Sequence, residues 1–190
     1  MAKKILALVT VLALAGCQVP QTVTPPPVPH KNAQPKLPPV YSAGPLAKAN
    51  VGTYMDAQES DLRDYLRGQP VQVARRGDQI AITVQSDRIF DHGEISDWGD
   101  ALIRTLYQVT GHYDHTLIEV NGYSDNAGGD DKAIAASQMR AKAVADGLIH
   151  YGVAPARITA KGLGAADLRV ANAADPRNRR IIIRIIPAPK

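Results

Sequence analysis

The sequence predicts an α/β (α+β) fold in which a sheet of about four strands carries helices on one side. Strand-like and helix-like patterns follow one another in the order strand, helix, strand, helix, strand, strand along the second half of the chain, as in a layered α/β domain. Residues 118–123 alternate between the two faces of a strand. Residues 181–186 form an almost continuous apolar run, which predicts a central strand buried on both faces.

Residues 1–17 have the pattern of a bacterial lipoprotein signal peptide. Lys3 and Lys4 give it a positive start, and the apolar stretch 5–14 is too short to span a bilayer. Its last four residues, Leu-Ala-Gly-Cys, resemble the lipobox, which is cleaved just before a cysteine that is then acylated, for example with palmitate. Cys17 is the single cysteine, so a disulfide framework is excluded. An ordinary signal peptide is the alternative interpretation.

Residues 18–45 predict a proline-rich linker. The many prolines exclude a helix and favour an extended polyproline II conformation. At about 3.1 Å per residue, a fully stretched linker would reach roughly 85 Å. We therefore expect a spacer between a lipid anchor and a folded domain, and a proline-rich ligand for another protein is the alternative.

Residues 46–70 predict an amphipathic helical extension. Apolar residues recur at helical spacing, and Gly68 and Pro70 end the helix. The residues of this stripe are Val51, Tyr54, Met55, Leu62, Tyr65 and Leu66. The stripe favours a helix packed against the following domain, whereas the charged opposite face leaves open a helix that binds a partner in an envelope complex.

Residues 71–190 are expected to form the folded domain. It begins with a hairpin over 71–84 that turns at 75–78. A helix follows, capped by Ser96 or Asp97 and ending near Val109. The inward residues predicted for these elements are Ile80, Ile82, Val84, Leu102, Ile103, Leu106 and Val109.

Composition and side-chain patterns argue against several classes of function. A net charge of +4 with one Trp and one Phe gives no basic surface interleaved with aromatic residues, so nucleic acid is not an expected partner. Residues 112–115, His-Tyr-Asp-His, form a metal-like cluster, but a structural zinc site needs four fixed ligands, which favours a solvated loop. Gly162 and Gly164 lack the spacing of a dinucleotide loop. No catalytic triad or pair of carboxylates indicates an enzyme, and no cofactor is expected.

The stretch 119–140 is the candidate site. It runs from a strand through a glycine-rich acidic turn, 125–129, into an alanine-rich helix that Gly152 ends. The predicted buried stripe of that helix is Ile134, Ser137, Ala141, Val144 and Leu148. Arg140 falls off this stripe, so a carboxylate at the strand end and this guanidinium could together hold a zwitterion.

Three motifs resemble a known family. Gly-Tyr-Ser-Asp at 122–125, Ser-Gln-Met-Arg-Ala at 137–141 and Asn-Arg-Arg at 178–180 resemble, in order and spacing, the motifs of the OmpA-like domain that peptidoglycan-associated lipoproteins carry. The resemblance runs from about Asp78 to Pro187. It implies a mixed sheet and an OmpA-like peptidoglycan-binding domain over 71–190.

The resemblance also implies the ligand-binding residues. Asp125 and Arg140 match the family residues that hold the diaminopimelate of the peptidoglycan stem peptide, and Ser124 keeps the hydroxyl of the family threonine. Arg179 and Arg180 are secondary candidates, because alternation along the last strand would point one towards the site and the other elsewhere.

Besides Ser124, this chain departs from the family pattern at three positions. Tyr123 stands where the family has histidine, Ala133 where it has asparagine, and Ala136 where it has leucine. Loss of the amide and of a bulky side chain should weaken or reshape the ligand site. The alternative for Asp125 and Arg140 is a surface salt bridge, worth about 0–1 kcal/mol when exposed.

The resemblance implies a non-enzymatic lipoprotein of the outer membrane, anchored through acylated Cys17, whose domain faces the periplasm and binds peptidoglycan. Gln18, which is not aspartate, favours the outer over the inner membrane. The alternative function is that of a structural subunit of a cell-envelope machine, such as a secretion system, that uses the same domain mainly for contacts with proteins.

Overall fold

The computed structural model describes residues 47–188. The predicted signal peptide with Cys17 and the predicted linker over 18–45 lie outside the described residues and stay predictions. The helices are α1 (Val51–Tyr65), α2 (Ser86–Ile89), α3 (Asp97–Thr110) and α4 (Asp130–Tyr151). The strands are β1 (Val71–Arg76), β2 (Gln79–Gln85), β3 (Phe90–Asp91), β4 (Glu94–Ile95), β5 (Thr116–Tyr123), β6 (Ile158–Gly162) and β7 (Arg180–Pro187).

The main sheet has five strands in the order β1-β2-β7-β5-β6. The pairs β1–β2, β2–β7 and β7–β5 are antiparallel, whereas β5 and β6 run parallel and are joined through α4. The expected mixed sheet is thus confirmed, with one strand more than predicted. β3 and β4 form a separate two-stranded ribbon.

One face of the sheet packs against the helices and forms the core. Ile82 of β2, Ile183 of β7 and Val120 of β5 lie side by side across three strands and are buried. Helices α1, α3 and α4 contribute their apolar stripes to the same cluster. The residues predicted to point inward from the hairpin and from α3 are buried. Ser96 caps α3, since its hydroxyl accepts a hydrogen bond from the Gly99 N–H.

The prediction that the last strand is buried on both faces is wrong. Ile181, Ile183 and Ile185 are buried, but Ile182 and Ile186 on the other face of β7 are only partly covered. The reason is the one-sided arrangement of the helices. The run of isoleucines therefore predicted a central strand correctly, but it did not show that the second face of this strand is only partly buried.

Helix α1 is part of the domain core. Tyr54, Met55 and Leu62 are at most 1% exposed and pack in the main cluster. Two hydrogen bonds fasten the helix to the segment before β5. The Tyr113 hydroxyl donates to Asp61 Oδ2 at 2.7 Å, and the His115 N–H donates to the Tyr54 hydroxyl at 3.1 Å. The packed helix is confirmed.

The segment 112–115 is not simply the solvated loop that the sequence predicts. His112 is exposed, but Tyr113 is completely buried under α1. Within the described residues no group of three or more His, Cys, Asp or Glu side chains could hold a metal ion.

Helix α4 buries a stripe that differs from the predicted one at the start of the helix. Ser137, Ala141, Val144 and Leu148 are buried as expected, whereas Ile134 is 50% exposed. Ala133 takes the buried position at this end of the helix. α4 has 22 residues, yet neither it nor any other described helix is both long and apolar enough to cross a membrane.

Candidate functional site

The candidate site lies where β5 ends and the chain turns into α4. Gly122 and Gly162 are paired in register at the ends of parallel strands β5 and β6. A Cβ atom on Gly122 would lie 2.2 Å from the Ser137 carbonyl oxygen, and one on Gly162 would lie 2.3 Å from the Gln138 backbone nitrogen. Only glycine therefore lets α4 approach the sheet this closely, and this approach places the helix beside the turn that follows β5.

The loop between β6 and β7 closes the other side of the site. The Gly164 N–H donates to the Ser137 hydroxyl at 2.9 Å, and the Ser124 N–H donates to the Gly164 carbonyl at 2.8 Å. Further along, the Asn126 N–H donates to the Ala173 carbonyl at 2.8 Å. These bonds tie the loop both to α4 and to the turn after β5.

The buried side chain of Asn178 fixes the conformation of the loop between β6 and β7 through hydrogen bonds to its backbone. Its side chain is completely buried, and its Oδ1 accepts hydrogen bonds from the N–H groups of Arg169 and Val170 at 2.8 and 3.0 Å. Its Nδ2 donates to the Asn172 carbonyl at 2.8 Å. Because Asn178 immediately precedes Arg179, it also fixes where the Arg179 side chain begins.

Arg179 forms an ion pair with Asp125. Its Nε lies 2.6 Å from Asp125 Oδ2, and its Nη1 lies 3.7 Å from Asp87 Oδ1. The Asp125 side chain is 14% exposed and that of Arg179 is 30% exposed, so the pair is shielded from water on most sides. Asp125 is thus paired with the arginine before β7, and the exposed Asp125–Arg140 salt bridge considered from the sequence is absent among the described residues.

Arg140 stands on α4 with a buried, unpaired nitrogen. Its Nη1 has no hydrogen-bond partner among the residues that the structure describes. A buried guanidinium nitrogen without a partner is an unsatisfied hydrogen-bond donor, and leaving it so costs free energy. Arg140 lines a cavity of about 310 Å³ that Ser124, Asp125 and Arg179 also line.

The structure places Arg180 away from this cavity. Its side chain is 4% exposed and lies over the Tyr123 ring, with the guanidinium carbon 4.0 Å from the ring centroid. It donates to the Asp167 carboxylate and to the Asp167 and Asn178 carbonyls. Of the two neighbouring arginines, one faces the site and the other fastens the loop to the sheet, as alternation along the strand indicates.

Three further lining residues change the shape and charge of the cavity. Ala133 and Ala136 form part of its wall, and Lys132 lies at its edge. Sequence reasoning missed Lys132, although a signal existed: positions 132, 136 and 140 are four residues apart and share one helix face. Asp87 was also missed, and no local pattern could have placed it beside Arg179.

The chain is similar in sequence to a family model and to proteins from bacteria. A family model described as OmpA family matches residues 90–181. "Probable lipoprotein YiaD" of Escherichia coli (strain K12) is 37% identical over 142 residues, which are 72% of this chain and 65% of that protein. "Peptidoglycan-binding protein ArfA" of Mycobacterium bovis is 41% identical over 69 residues, 35% of this chain and 21% of that protein. The chain thus spans less than two thirds of either relative.

A solved structure supports the architecture. The cell wall anchor of the T6SS from Pseudomonas aeruginosa has a TM-score of 0.59 and 25% sequence identity. The match covers 68% of this chain and 96% of the anchor. The mixed sheet with its helices therefore belongs to a known architecture, and its neighbours in sequence and structure include proteins named as a lipoprotein, a peptidoglycan-binding protein and a cell wall anchor.

Proposed function

We propose that this protein binds peptidoglycan non-covalently and without altering it, because a family model described as OmpA family matches residues 90–181. The observation that carries the proposal is one cavity lined both by Arg140, whose Nη1 has no hydrogen-bond partner among the described residues, and by Asp125. The names of two relatives and of a structural neighbour, which mention peptidoglycan binding, a lipoprotein and a cell wall anchor, support the same function.

The proposed ligand group is the zwitterionic end of diaminopimelate in the stem peptide. Its carboxylate would accept hydrogen bonds from Arg140, whose planar guanidinium suits a carboxylate. Its ammonium would donate to Asp125. The Oδ2 atom of Asp125 is engaged by Arg179, but Oδ1 has only a 3.4 Å contact from the Ala127 N–H. Oδ1 therefore keeps the capacity to accept from a ligand, and the Ser124 hydroxyl is a further polar group in the wall.

The test uses paired peptides and the detergent-solubilised full-length protein. A stem peptide with diaminopimelate should bind about ten- to a hundredfold more tightly than one with lysine, which lacks the side-chain carboxylate. Arg140→Ala should abolish this difference. Lys142→Ala is the matched control, since Lys142 lies on the same helix and pairs with Asp146 on the surface. Equal affinity of the wild type for the two peptides would rule out the diaminopimelate assignment.

We also propose that the protein is anchored in the outer membrane through acylated Cys17, with its domain in the periplasm. The lipobox-like Leu-Ala-Gly-Cys at 14–17 carries this proposal, and the similarity to a protein named as a lipoprotein supports it. Cys17→Ser should prevent incorporation of a fatty-acid probe and leave an uncleaved precursor. Undiminished label in the variant would overturn the anchor. In a protein anchored through Cys17, the proline-rich segment 18–45 would be the spacer between the membrane and the wall.

A second candidate function is that of a structural subunit of a cell-envelope machine such as a secretion system. The likeness to the cell wall anchor of a T6SS favours it. The solvent side of α1, with Asp56, Arg63 and Asp64 exposed, is the surface available to a protein partner. Crosslinking in cells discriminates the two functions, because Arg140→Ala would abolish wall binding and leave such protein contacts intact.

A further inference from the structure

The cavity keeps a net positive charge even when a single zwitterion is bound. Its wall includes three cationic side chains, Lys132, Arg140 and Arg179, and one carboxylate, Asp125. Arg179 already pairs with that carboxylate. A bound zwitterion would bring one negative and one positive charge to Arg140 and Asp125, so Lys132 would be left without a counter-charge.

Lys132 is unpaired where the other lysine of α4 is paired. The Nζ atom of Lys142 lies 2.6 Å from Oδ2 of Asp146, which is one turn further along the helix. Lys132 has no such ion pair with any residue in the described part of the chain, although Asp130 and Asp131 precede it. Residues one and two positions apart on a helix do not face each other, so these carboxylates cannot serve it.

The side chain of Lys132 is directed along the cavity edge. A Cβ atom on Gly128 would lie 3.1 Å from Lys132 Cδ, so the lysine stem packs over a glycine of the turn that also lines the cavity. A larger residue at position 128 would compete for that space.

Lys132 and Arg140 lie on one face of α4, and the cavity wall between them consists of small side chains. Positions 132, 136 and 140 follow at four-residue spacing, and the rise of about 1.5 Å per residue separates the two outer Cα atoms by about 12 Å. The intervening wall residues are Ala133 and Ala136, which are small. A ligand can therefore lie along the helix from one cation to the other. Both cations are carried on long side chains, so together they can reach two separate groups of one ligand.

We propose that Lys132 binds a second carboxylate of the ligand, one or two residues from its zwitterionic end. The inference rests on the proposed function and narrows its substrate class: the site selects stem peptides in which the neighbouring acidic residue keeps its carboxylate free, over those in which it is amidated. Ala133 and Ala136 are then not losses from the site but the space through which the ligand reaches Lys132.

The test measures the affinity of the full-length protein for two synthetic peptides, L-alanyl-γ-D-glutamyl-diaminopimelate with the glutamate α-carboxyl either free or amidated. The wild type should prefer the free form by about five- to tenfold at low salt, and less at high salt because Lys132 is exposed. Lys132→Gln should bind both forms equally, at the affinity of the wild type for the amidated form. Lys132→Arg should keep most of the preference, and Lys142→Gln all of it.

Two different failures are distinguishable. Equal binding of both peptides by the wild type, or an unchanged preference in Lys132→Gln, would overturn the role of Lys132 and leave peptidoglycan binding intact. Failure of the wild type to bind either peptide would overturn the proposed function, and this inference with it. Lys132 is exposed, so circular dichroism should show the same fold in every variant.

Discussion

Arg179 Nε lies 2.6 Å from Asp125 Oδ2, and this ion pair joins the turn after β5 to the residue that precedes β7. Both residues of the pair line the cavity that Arg140 also lines. It orients the carboxylate of Asp125 without using its second oxygen. The candidate site is therefore assembled by three segments of the chain, each fixed by contacts of its own.

Arg179→Ala should weaken binding of a diaminopimelate-containing peptide by about tenfold, because Asp125 loses the partner that orients it. Stability should fall by about 1–3 kcal/mol, because the carboxylate of Asp125, which is only 14% exposed, is left without its partner. Titration calorimetry and thermal melting measure the two effects separately. Asp87→Ala is the control, as it removes only the longer, more exposed contact at 3.7 Å, and it should bind normally. Wild-type affinity in Arg179→Ala would contradict a positioning role.

Asp125→Ala and Arg140→Ala should each lower peptide affinity by about ten- to a hundredfold, because each removes a charge-assisted hydrogen bond to the ligand. The double variant should lose less than the sum of the two, since both residues contact one small group. Calorimetry on all four proteins gives the coupling. Strictly additive losses would indicate two independent contacts.

Asn178→Ala should destabilise the domain by about 1–3 kcal/mol, because the Arg169 and Val170 N–H groups lose their acceptor in a buried place. Peptide affinity should fall as well, since the loop carries Arg179. Denaturant unfolding measures the first effect. Asn172→Ala removes one exposed hydrogen bond of the same loop, from the Ala174 N–H to Asn172 Oδ1, and should cost less than Asn178→Ala, because water can replace the lost acceptor. Equal stabilities of the two variants would show that Asn178 does not organise the loop.

Gly162→Ala should destabilise the fold by about 1–3 kcal/mol or more, because the new Cβ would overlap the Gln138 backbone. Gly52→Ala is the opposite case. Gly52 lies in α1 with nothing within 4 Å of a Cβ atom, so alanine should stabilise the helix by about 0.5–1 kcal/mol. Thermal melting of both variants checks the contrast in sign, and a stabilised Gly162→Ala would refute the close approach of α4.

Asp175 should titrate well below the ordinary range. Hydrogen bonds from the Arg177 side chain, and then from its backbone N–H, lower the pKa of Asp175 to about 2. A carboxyl with a lowered folded-state pKa contributes stability above its unfolded pKa, and this contribution disappears as pH falls through the folded value. An NMR titration should find this pKa, and Arg177→Ala should move it up. An unshifted wild-type carboxyl would disprove the pairing.

Periodicity predicted most of the fold because the core lies on one face of each element. The hairpin over 71–84, the inward stripe of α3 and the end of α4 at Gly152 all follow from local patterns that the structure bears out. Ile134 was misplaced for a tertiary reason. The glycines that bring the sheet against the start of α4 leave room there only for small residues such as Ala133 and Ser137.

The sequence predicted which residues meet at the site better than how they pair. Alternation separated Arg179 from Arg180, and the motif spacing brought Asp125 and Arg140 to one cavity. The partner of Asp125 could not be predicted, because Arg179 reaches it through a loop whose course Asn178 sets from inside. Long-range pairs of this kind have no signature in local spacing.

The packing of α1 has a mechanical consequence under the proposed N-terminal anchor. The chain enters the domain through this helix, so tension from its N-terminal side acts first on α1 and on its hydrogen bonds at Asp61 and Tyr54. The cavity is lined by residues that follow β5, by residues of α4 and by Arg179 before β7, and not by residues of α1. Because α1 is packed in the domain core, a load on the proposed tether would act on the core contacts of this helix before it reached the residues that line the cavity.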